Sequence, residues 1–310
     1  MSLVSVVMPV LDGEPHLAEA IESILTQSHE ALELIVVDDG SSDASVEIAA
    51  GFAASDRRVR LIRRERDPSL TSGARAANQG IALARGEWIA RMDQDDIALP
   101  ERLAVQLDFL RATGLDACGS QVTAFGSGED RPYWFPEEQA AMERELVFRV
   151  AMLHPAMVAS TELMRRLPYD EGATHDDYEW QTRAIAIARL GNCRECLVRH
   201  RLHPGQANVV HRGRFTRDLR RYRFRQFYRL FPRTPAREFE IVNAIAERAH
   251  FAHREEVEAA GTWLVRLASV PDPELRRMML HRWESLCRRA KVEDIDDLHT
   301  AVAARIQGEA

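Results

Sequence analysis

The stretch Trp88-Ile-Ala-Arg-Met-Asp-Gln-Asp-Asp96 runs from an apolar segment straight into three carboxylates within four residues. Leu99-Pro-Glu-Arg-Leu103 follows, opening a helical pattern with Pro100 in its first turn, Leu103, Leu107 and Leu110 on one face, and Gly114 at its end. At about 4 Å and an effective dielectric of ~20, each carboxylate pair costs roughly 4 kcal/mol. A fold keeps such a cluster when something positive sits in it. Oxygen donors suit Mg²⁺ or Mn²⁺, hard cations shared with a substrate's phosphates. The alternative is a solvated acidic turn that caps the next helix.

Upstream, strands alternate with helices. Val4–Met8, Leu32–Val37, Val59–Ile62 and Trp88–Met92 read as strands. Leu17, Ile21, Ile24 and Leu25 recur at helical spacing, Ser41 or Ser42 caps a helix bearing Val46, Ala49, Ala50 and Ala53, and Ala76–Ala84 forms a short helix closed by Gly86. This rhythm predicts an α/β fold with a mostly parallel sheet and helices on both faces. Ligands in such sheets bind beyond the carboxyl ends of the strands. The loops there are Pro9-Val-Leu-Asp-Gly-Glu14, Asp38-Asp-Gly-Ser-Ser-Asp43 and Asp93-Gln-Asp-Asp96. None carries the glycine pattern of a dinucleotide or Walker loop. A bare pyrophosphate is repelled by these acids, a metal-bridged one is not, and Asp38 or Asp39 can accept hydrogen bonds from a ribose or base.

The chain has 310 residues and a net charge of −7. That charge argues against nucleic acid as a partner, since such binding rests on neutralising phosphates. Lys291 is the single lysine, so no catalytic lysine is available in the first two hundred residues. Four cysteines in a chain of this size fit a reducing, cytoplasmic compartment. No apolar run approaches the ~18 residues of a membrane span, and Leu3–Leu11 lacks a signal peptide's flanks. Cys193, Cys196, His200 and His203 spell a zinc-like pattern, but its central gap is too short for a finger. A strand over Leu197–Leu202 would also aim the two histidines at opposite faces.

The sequence resembles the family 2 glycosyltransferases of the GT-A fold. The likeness lies in Val4–Val10, Ser23–Gln27, Glu33–Asp43, Asn78–Glu87 and Arg91–Leu103. It continues through His154-Pro155, Tyr169–Glu171, His175–Tyr178 and Arg201–Gly205. The resemblance covers about residues 1–210. It implies a GT-A catalytic domain there, a Rossmann-like nucleotide-diphospho-sugar transferase of the bacterial non-processive type, with 211–310 as an α-helical extension. The implied activity is inverting transfer of a sugar from a nucleotide-diphosphate donor, UDP-linked, to a hydroxyl of a saccharide or lipid-linked saccharide acceptor. Cell-surface polysaccharide or glycolipid synthesis is the implied setting.

Roles follow residue by residue from that resemblance. Pro9, Asp12 and Asp39 would hold the base and ribose, and Asn78 would join the nucleotide-sugar site. Asp93 and Asp95 match the D-x-D, with Asp95 on a Mn²⁺ or Mg²⁺ ion and Asp93 on the ribose or sugar. Asp96 would support the turn. Asp177 matches the general base. Arg201 and His203 match a late loop over the diphosphate, with His203 a second metal ligand. Three departures stand out: Leu11 where many members carry an aromatic, Asp176 in place of a glutamate, and no Q-x-x-R-W after Asp177. Two alternatives remain. One is a haloacid-dehalogenase-like phosphatase with Asp93 as nucleophile, for which Asp96 and the late position fit poorly. The other is a GT-A scaffold without turnover.

Further candidates are softer. Tyr133-Trp-Phe135 is either a stacking wall for an acceptor sugar or a packing plug. Trp180 reads as core, and His154 as either a leaving-group neighbour or a core histidine. From Arg212 to Arg233 nine arginines interleave with aromatics, and Phe224, Phe227, Tyr228 and Phe231 share a helical face. That segment either lies on a membrane, peripherally at the inner face of the plasma membrane, or packs inward with its arginines paired to acids such as Glu238 and Glu240. Helices over Glu238–Val270 and Pro273–Ile306 could contribute a homodimer contact.

Overall fold

The computed structural model describes residues 2–67, 69, 73–206, 212–292 and 295–308, and only the helical backbone of 212–217. The expectations for Phe215 and the arginines before residue 218 therefore lie outside the described residues. Two compact units emerge: Met1–Trp134 with Met152–Asp218, and Phe135–Ala151 with Leu219–Ala310. Phe135–Ala151, from within residues 1–210, groups with the second unit.

The elements up to residue 201 are β1 (Val4–Val10), α1 (Glu14–Leu25), β2 (Leu32–Asp38), α2 (Ser45–Ser55), β3 (Val59–Arg63), α3 (Ala74–Leu83), β4 (Trp88–Arg91), β5 (Ile97–Ala98), α4 (Arg102–Thr113), β6 (Ala117–Phe125), β7 (Arg131–Tyr133), α5 (Gln139–Glu145), β8 (Val158–Ser160), α6 (Thr161–Arg166), α7 (Asp176–Ala184) and β9 (Leu190–Arg201). The sheet order is β3-β2-β1-β4-β8-β6-β9-β5, with β7 on β6. The first four strands in that order run parallel. Val10 stands opposite Asp38 and Val7 opposite Arg91, so the loops after β1, β2 and β4 leave one edge of the sheet. Beyond β4 the sheet is mixed. β8 is antiparallel to both of its neighbours, while β9 is parallel to β6 and antiparallel to β5. A three-residue strand such as β8 offers no period to read, so its place between β4 and β6 is invisible to a pattern argument.

β1 and β2 are buried on both faces, which is why they read as apolar runs without alternation. Leu17, Ile21 and Ile24 of α1 and Leu103, Leu107 and Leu110 of α4 join Val4, Val6, Met8 and Leu34 in one core. On the other side α3 lies so close that a Cβ on Gly80 would sit 2.5 Å from Val7 Cγ1. Neither Ser41 nor Ser42 caps α2. That helix starts at Ser45, whose N–H donates to the Asp43 carboxylate at 3.0 Å.

The second unit is helical: α5, the helix Arg212–Leu230 from Leu219 on, Ala236–Ala246, Arg254–Leu267, Pro273–Arg289 and Asp296–Gln307. Phe227, Phe239, Trp263, Leu264 and Trp283 form its core, with Val147 and Phe148. The two long helices expected after residue 238 are each broken. Arg248 takes a left-handed φ of +56°, and His253 with Glu256 forms a capping box that starts the next helix. Ala290 is extended and ends the other. Among the described residues no helix is long and apolar enough to cross a membrane.

Candidate active site

The three acidic loops meet at the sheet edge and are laced together. Asp12, at a left-handed φ of +49°, accepts the Ser42 N–H at 2.7 Å, and its own N–H donates to Ser41 Oγ at 3.0 Å. Gly13 N–H donates to Ser45 Oγ at 2.8 Å and Glu14 N–H to Asp43 at 2.9 Å. Asp38 is consumed by its own turn, accepting from the N–H groups of Gly40 and Ser41. Asp39 is different. Its N–H binds Val10 C=O, while Oδ1 is buried 3.3 Å from Arg64 Nε with no hydrogen-bond partner among the described residues. Burial raises its pKa, with Arg64 opposing. A buried acceptor left without a bond is one that a ligand N–H or O–H can satisfy. Pro9, in register with Val37, faces the start of α3, where a Cβ on Gly73 would meet its ring at 3.3 Å.

The β4 loop is organised by Arg91. Its buried guanidinium donates to Val7 C=O at 3.0 Å and to Asp93 Oδ1 at 3.4 Å, and lies 5.9 Å from the Tyr169 ring centre. Burial pushes Asp93 up to about 7; Arg91 opposes this, and Asp96, Asp95 and Asp176 add to it. The Asp93 side chain keeps 39% of its surface in solvent, so water tempers the desolvation but leaves the crowding of acids. Asp96 is fully buried and holds the turn: it accepts the Arg201 N–H at 2.8 Å and lies 3.0 Å from His200 Nδ1.

The strand β9 returns along this loop. Arg201 Nε donates to Asp95 C=O at 2.8 Å, and its guanidinium pairs with Glu19 of α1. His203 Nε2 sits 2.8 Å from Asp95 Oδ2, with its ring edge-on to His16. The expectation that His200 and His203 face apart fails, because β9 ends at Arg201 and the following turn swings His203 back. Cys193 is buried and all four cysteines are free thiols. Among the described residues no group of three or more His, Cys, Asp or Glu is disposed to hold a metal. The Asp95 carboxylate is a donor that suits Mn²⁺ or Mg²⁺, while the His203 imidazole fits the harder Mg²⁺ less well, so a cation here would draw its remaining ligands from substrate or water.

The fourth contribution is the start of α7. Asp176 is pushed up to about 6 by burial and then by Asp177, while Arg91 opposes. Burial also raises Asp177, whose Oδ1 accepts the Tyr178 N–H at 2.7 Å. The helix is anchored by Trp180, buried, with its indole N–H on Leu167 C=O at 2.9 Å. His154 packs against Tyr169 and Trp180, and burial drives its pKa well down, which makes it a core histidine.

Asn78, expected in the nucleotide-sugar site, bonds the loop that carries Tyr169. Its amide accepts the Tyr169 N–H at 2.9 Å and donates to Tyr169 C=O at 3.0 Å and to Glu171. It therefore pins the loop behind Arg91. In the aromatic triplet, Trp134 is 40% exposed and Phe135 is buried. Sequence reasoning assigned no role to Arg91, Gln94 or His200. The signal available for Arg91 was a lone cation inside an apolar strand.

Residues 5–173 match the family described as Glycosyl transferase family 2. An uncharacterized glycosyltransferase of Methanocaldococcus jannaschii, MJ1057, is 32% identical over 218 residues, covering 68% of this chain and 74% of that one. Matches at higher identity are shorter, and two of them span 43% and 31% of the relatives' lengths. The fold resembles S. aureus TarS 1–349, solved with UDP-GlcNAc, at a TM-score of 0.61 and 16% identity over 99% of this chain and 92% of that one. It also resembles a mannosyltransferase of Pyrobaculum calidifontis, solved with GDP-Man and Mn²⁺, at 0.57 and 16% over 99% and 86%. The family match displaces the phosphatase alternative. The fold is GT-A, the carboxylate run Asp93–Asp96 lies within the matched region, and the chain belongs to glycosyl transferase family 2.

Proposed function

We propose that this chain is an inverting glycosyltransferase. It moves a sugar from a nucleotide-diphosphate donor, UDP-linked, to an acceptor hydroxyl on a saccharide or lipid-linked saccharide, in cell-surface polysaccharide or glycolipid synthesis. Residues 1–210 carry the catalysis and 211–310 form an α-helical extension. The location that goes with this reading is cytoplasmic. One observation carries it: the D-x-D acids Asp93 and Asp95 lie on the β4 loop within the stretch that matches glycosyl transferase family 2, Asp93 bonded to the buried Arg91 and Asp95 to His203. Support also comes from the nucleotide sugars held by the two structurally similar proteins.

In this mechanism Asp39 Oδ1 accepts from the base or ribose, with Pro9 and Asp12 shaping the same wall. Asp93 faces the ribose or sugar. Asp177 takes the proton from the acceptor hydroxyl as that oxygen attacks the anomeric carbon, and a pKa raised by burial suits a base that must hold a proton. Asp176 beside it is raised further, by burial and then by repulsion from Asp177. Asp95 and His203 would hold Mn²⁺ or Mg²⁺, which would stabilise charge on the departing diphosphate. Arg201 fixes the Asp95 backbone and adds a cation beside the same loop.

Two substitutions divide these roles. Asp177→Asn loses transfer by about 10²-fold or more while calorimetry still registers nucleotide-sugar binding; undiminished turnover rejects Asp177 as the base. With Asp95→Ala, Mn²⁺ no longer tightens UDP binding, and an unchanged metal effect moves the ligand elsewhere. Slow metal-dependent hydrolysis of a nucleotide sugar by the wild type excludes a scaffold without turnover.

A further inference from the structure

We infer that Gln94, the residue between Asp93 and Asp95, is a positioning residue that fixes the spacing between the nucleoside-facing and metal-facing loops of the donor site. The inference rests on the donor-site reading above. Gln94 Oε1 accepts the Leu11 N–H at 2.7 Å, and Gln94 Nε2 donates to Leu11 C=O at 2.9 Å. Both ends of one amide are thus used on one backbone residue. Among the described residues, these are the hydrogen bonds that join the loop 11–14 to the run 93–96.

What lies on either side gives the link its consequence. Leu11 leads into Asp12 and Gly13, which are bonded to Ser41, Ser42 and Ser45 of the β2 loop, the loop that carries Asp39. On the other side, Gln94 is flanked by Asp93 and by Asp95, which is tied to His203. A nucleoside diphosphate with its cation must touch both loops at once, and a nucleoside alone touches only the first. Holding the two loops at a fixed distance before binding benefits the larger ligand, because less ordering remains to be done.

Gly13 provides a second handle on the same link. A Cβ there would stand 2.8 Å from Gln94 Cδ and from Oε1. Gly13 has φ −97°, which alanine adopts without strain. The atoms it would strike are the far end of a flexible side chain. Gly13→Ala should therefore push the Gln94 amide off Leu11 and leave the backbone in place.

The test uses the full chain with Mn²⁺ and compares UDP with uridine, and GDP with guanosine, by calorimetry and ligand-observed NMR. Gln94→Met keeps the length of the side chain and removes both hydrogen bonds. It should weaken the better-bound diphosphate about tenfold and change the matching nucleoside by less than about twofold. Gly13→Ala should do the same, and the double variant should be no weaker than either single one, as two changes acting through one link are not additive. Unchanged diphosphate binding in Gln94→Met overturns the inference. So does an equal loss for nucleoside and diphosphate, which would make Gln94 a simple prop for the first loop, and so do losses that multiply in the double variant. A wild type that binds neither diphosphate overturns the donor-site reading itself, and this inference with it.

Discussion

Glu145 in the helical unit and Asp93 at the sheet edge are both carboxylates beside arginine, and their surroundings push them in opposite directions. Glu145 is fully buried, and its Oε1 receives Arg149 Nε and, at 2.7 Å, Arg282 Nη2. Burial works to raise its pKa, but the two arginines outweigh it and hold the group below the ordinary glutamate range. Asp93 has one arginine at 3.4 Å and three acids around it, and rises to about 7. The helical unit balances its buried charge from within. The sheet edge does not, and a site that leaves negative charge unbalanced is one that gains by taking up a cation.

The largest effect should come from breaking the balanced side of this comparison. Glu145→Ala removes the buried carboxylate that Arg149 and Arg282 share, and removing one partner of a buried pair costs about 3–5 kcal/mol. Urea unfolding of the full chain measures it. A loss under about 1 kcal/mol would mean that water already reaches the pair and that it behaves like a surface one.

A smaller and directional effect separates the two regions by pH. In the unfolded chain an aspartate ionises near about 3.9, whereas native Asp176 holds its proton up to about 6. Between those values the native state binds more protons than the unfolded one, so this group's contribution to stability falls as pH rises. Glu145 has the opposite sign: its contribution is present above the ordinary glutamate value and is lost as pH falls through its lowered one. His154, driven well below its usual value by burial, slopes upward with pH near neutrality. The comparison must therefore be variant against wild type at each pH. In EDTA, Asp176→Asn should melt progressively higher than wild type as pH rises from about 4 to 6, and stay level above that. A difference that is flat across the range would show that Asp176 is not crowded.

These contrasts also mark what the sequence could reveal. β1, β2 and β4 were legible because strands buried on both faces need continuous apolar residues, and the carboxylates after them because charge at a strand end is visible without a structure. The direction of side chains past the strand ends was not. Whether His203 faces Asp95 depends on where β9 stops, and whether Gln94 faces Leu11 depends on the twist of a loop, and neither has a local signature. The motif around Asn78 implies a donor contact. Only the tertiary placement of Tyr169 shows its amide engaged with that backbone. The grouping of Phe135–Ala151 with the C-terminal helices is likewise tertiary, since Val147 and Phe148 join a core whose other members follow residue 219.

The smallest expected effect concerns the arginine-rich helix. A membrane-lying helix needs its aromatics outward, yet Phe227 is fully buried against Phe239 and Trp263, and Phe224, 51% exposed, has one face on Tyr228 and Phe239. Three of its described arginines are engaged: Arg220 with Glu240, Arg223 with Phe148 C=O and Asn243, Arg229 with Glu143. Glu238 meanwhile takes the Trp263 indole N–H. Each arginine free to meet anionic lipid would add about 1 kcal/mol, and pairing with protein acids removes most of that gain. The full chain should therefore sediment equally with neutral and anionic vesicles. Arg220→Ala should change stability by less than about 1 kcal/mol, as expected for a pair half in solvent. Preferential recovery with anionic vesicles, lost in Phe224→Ser but with folding intact, would reverse this reading and make the exposed ring an insertion point.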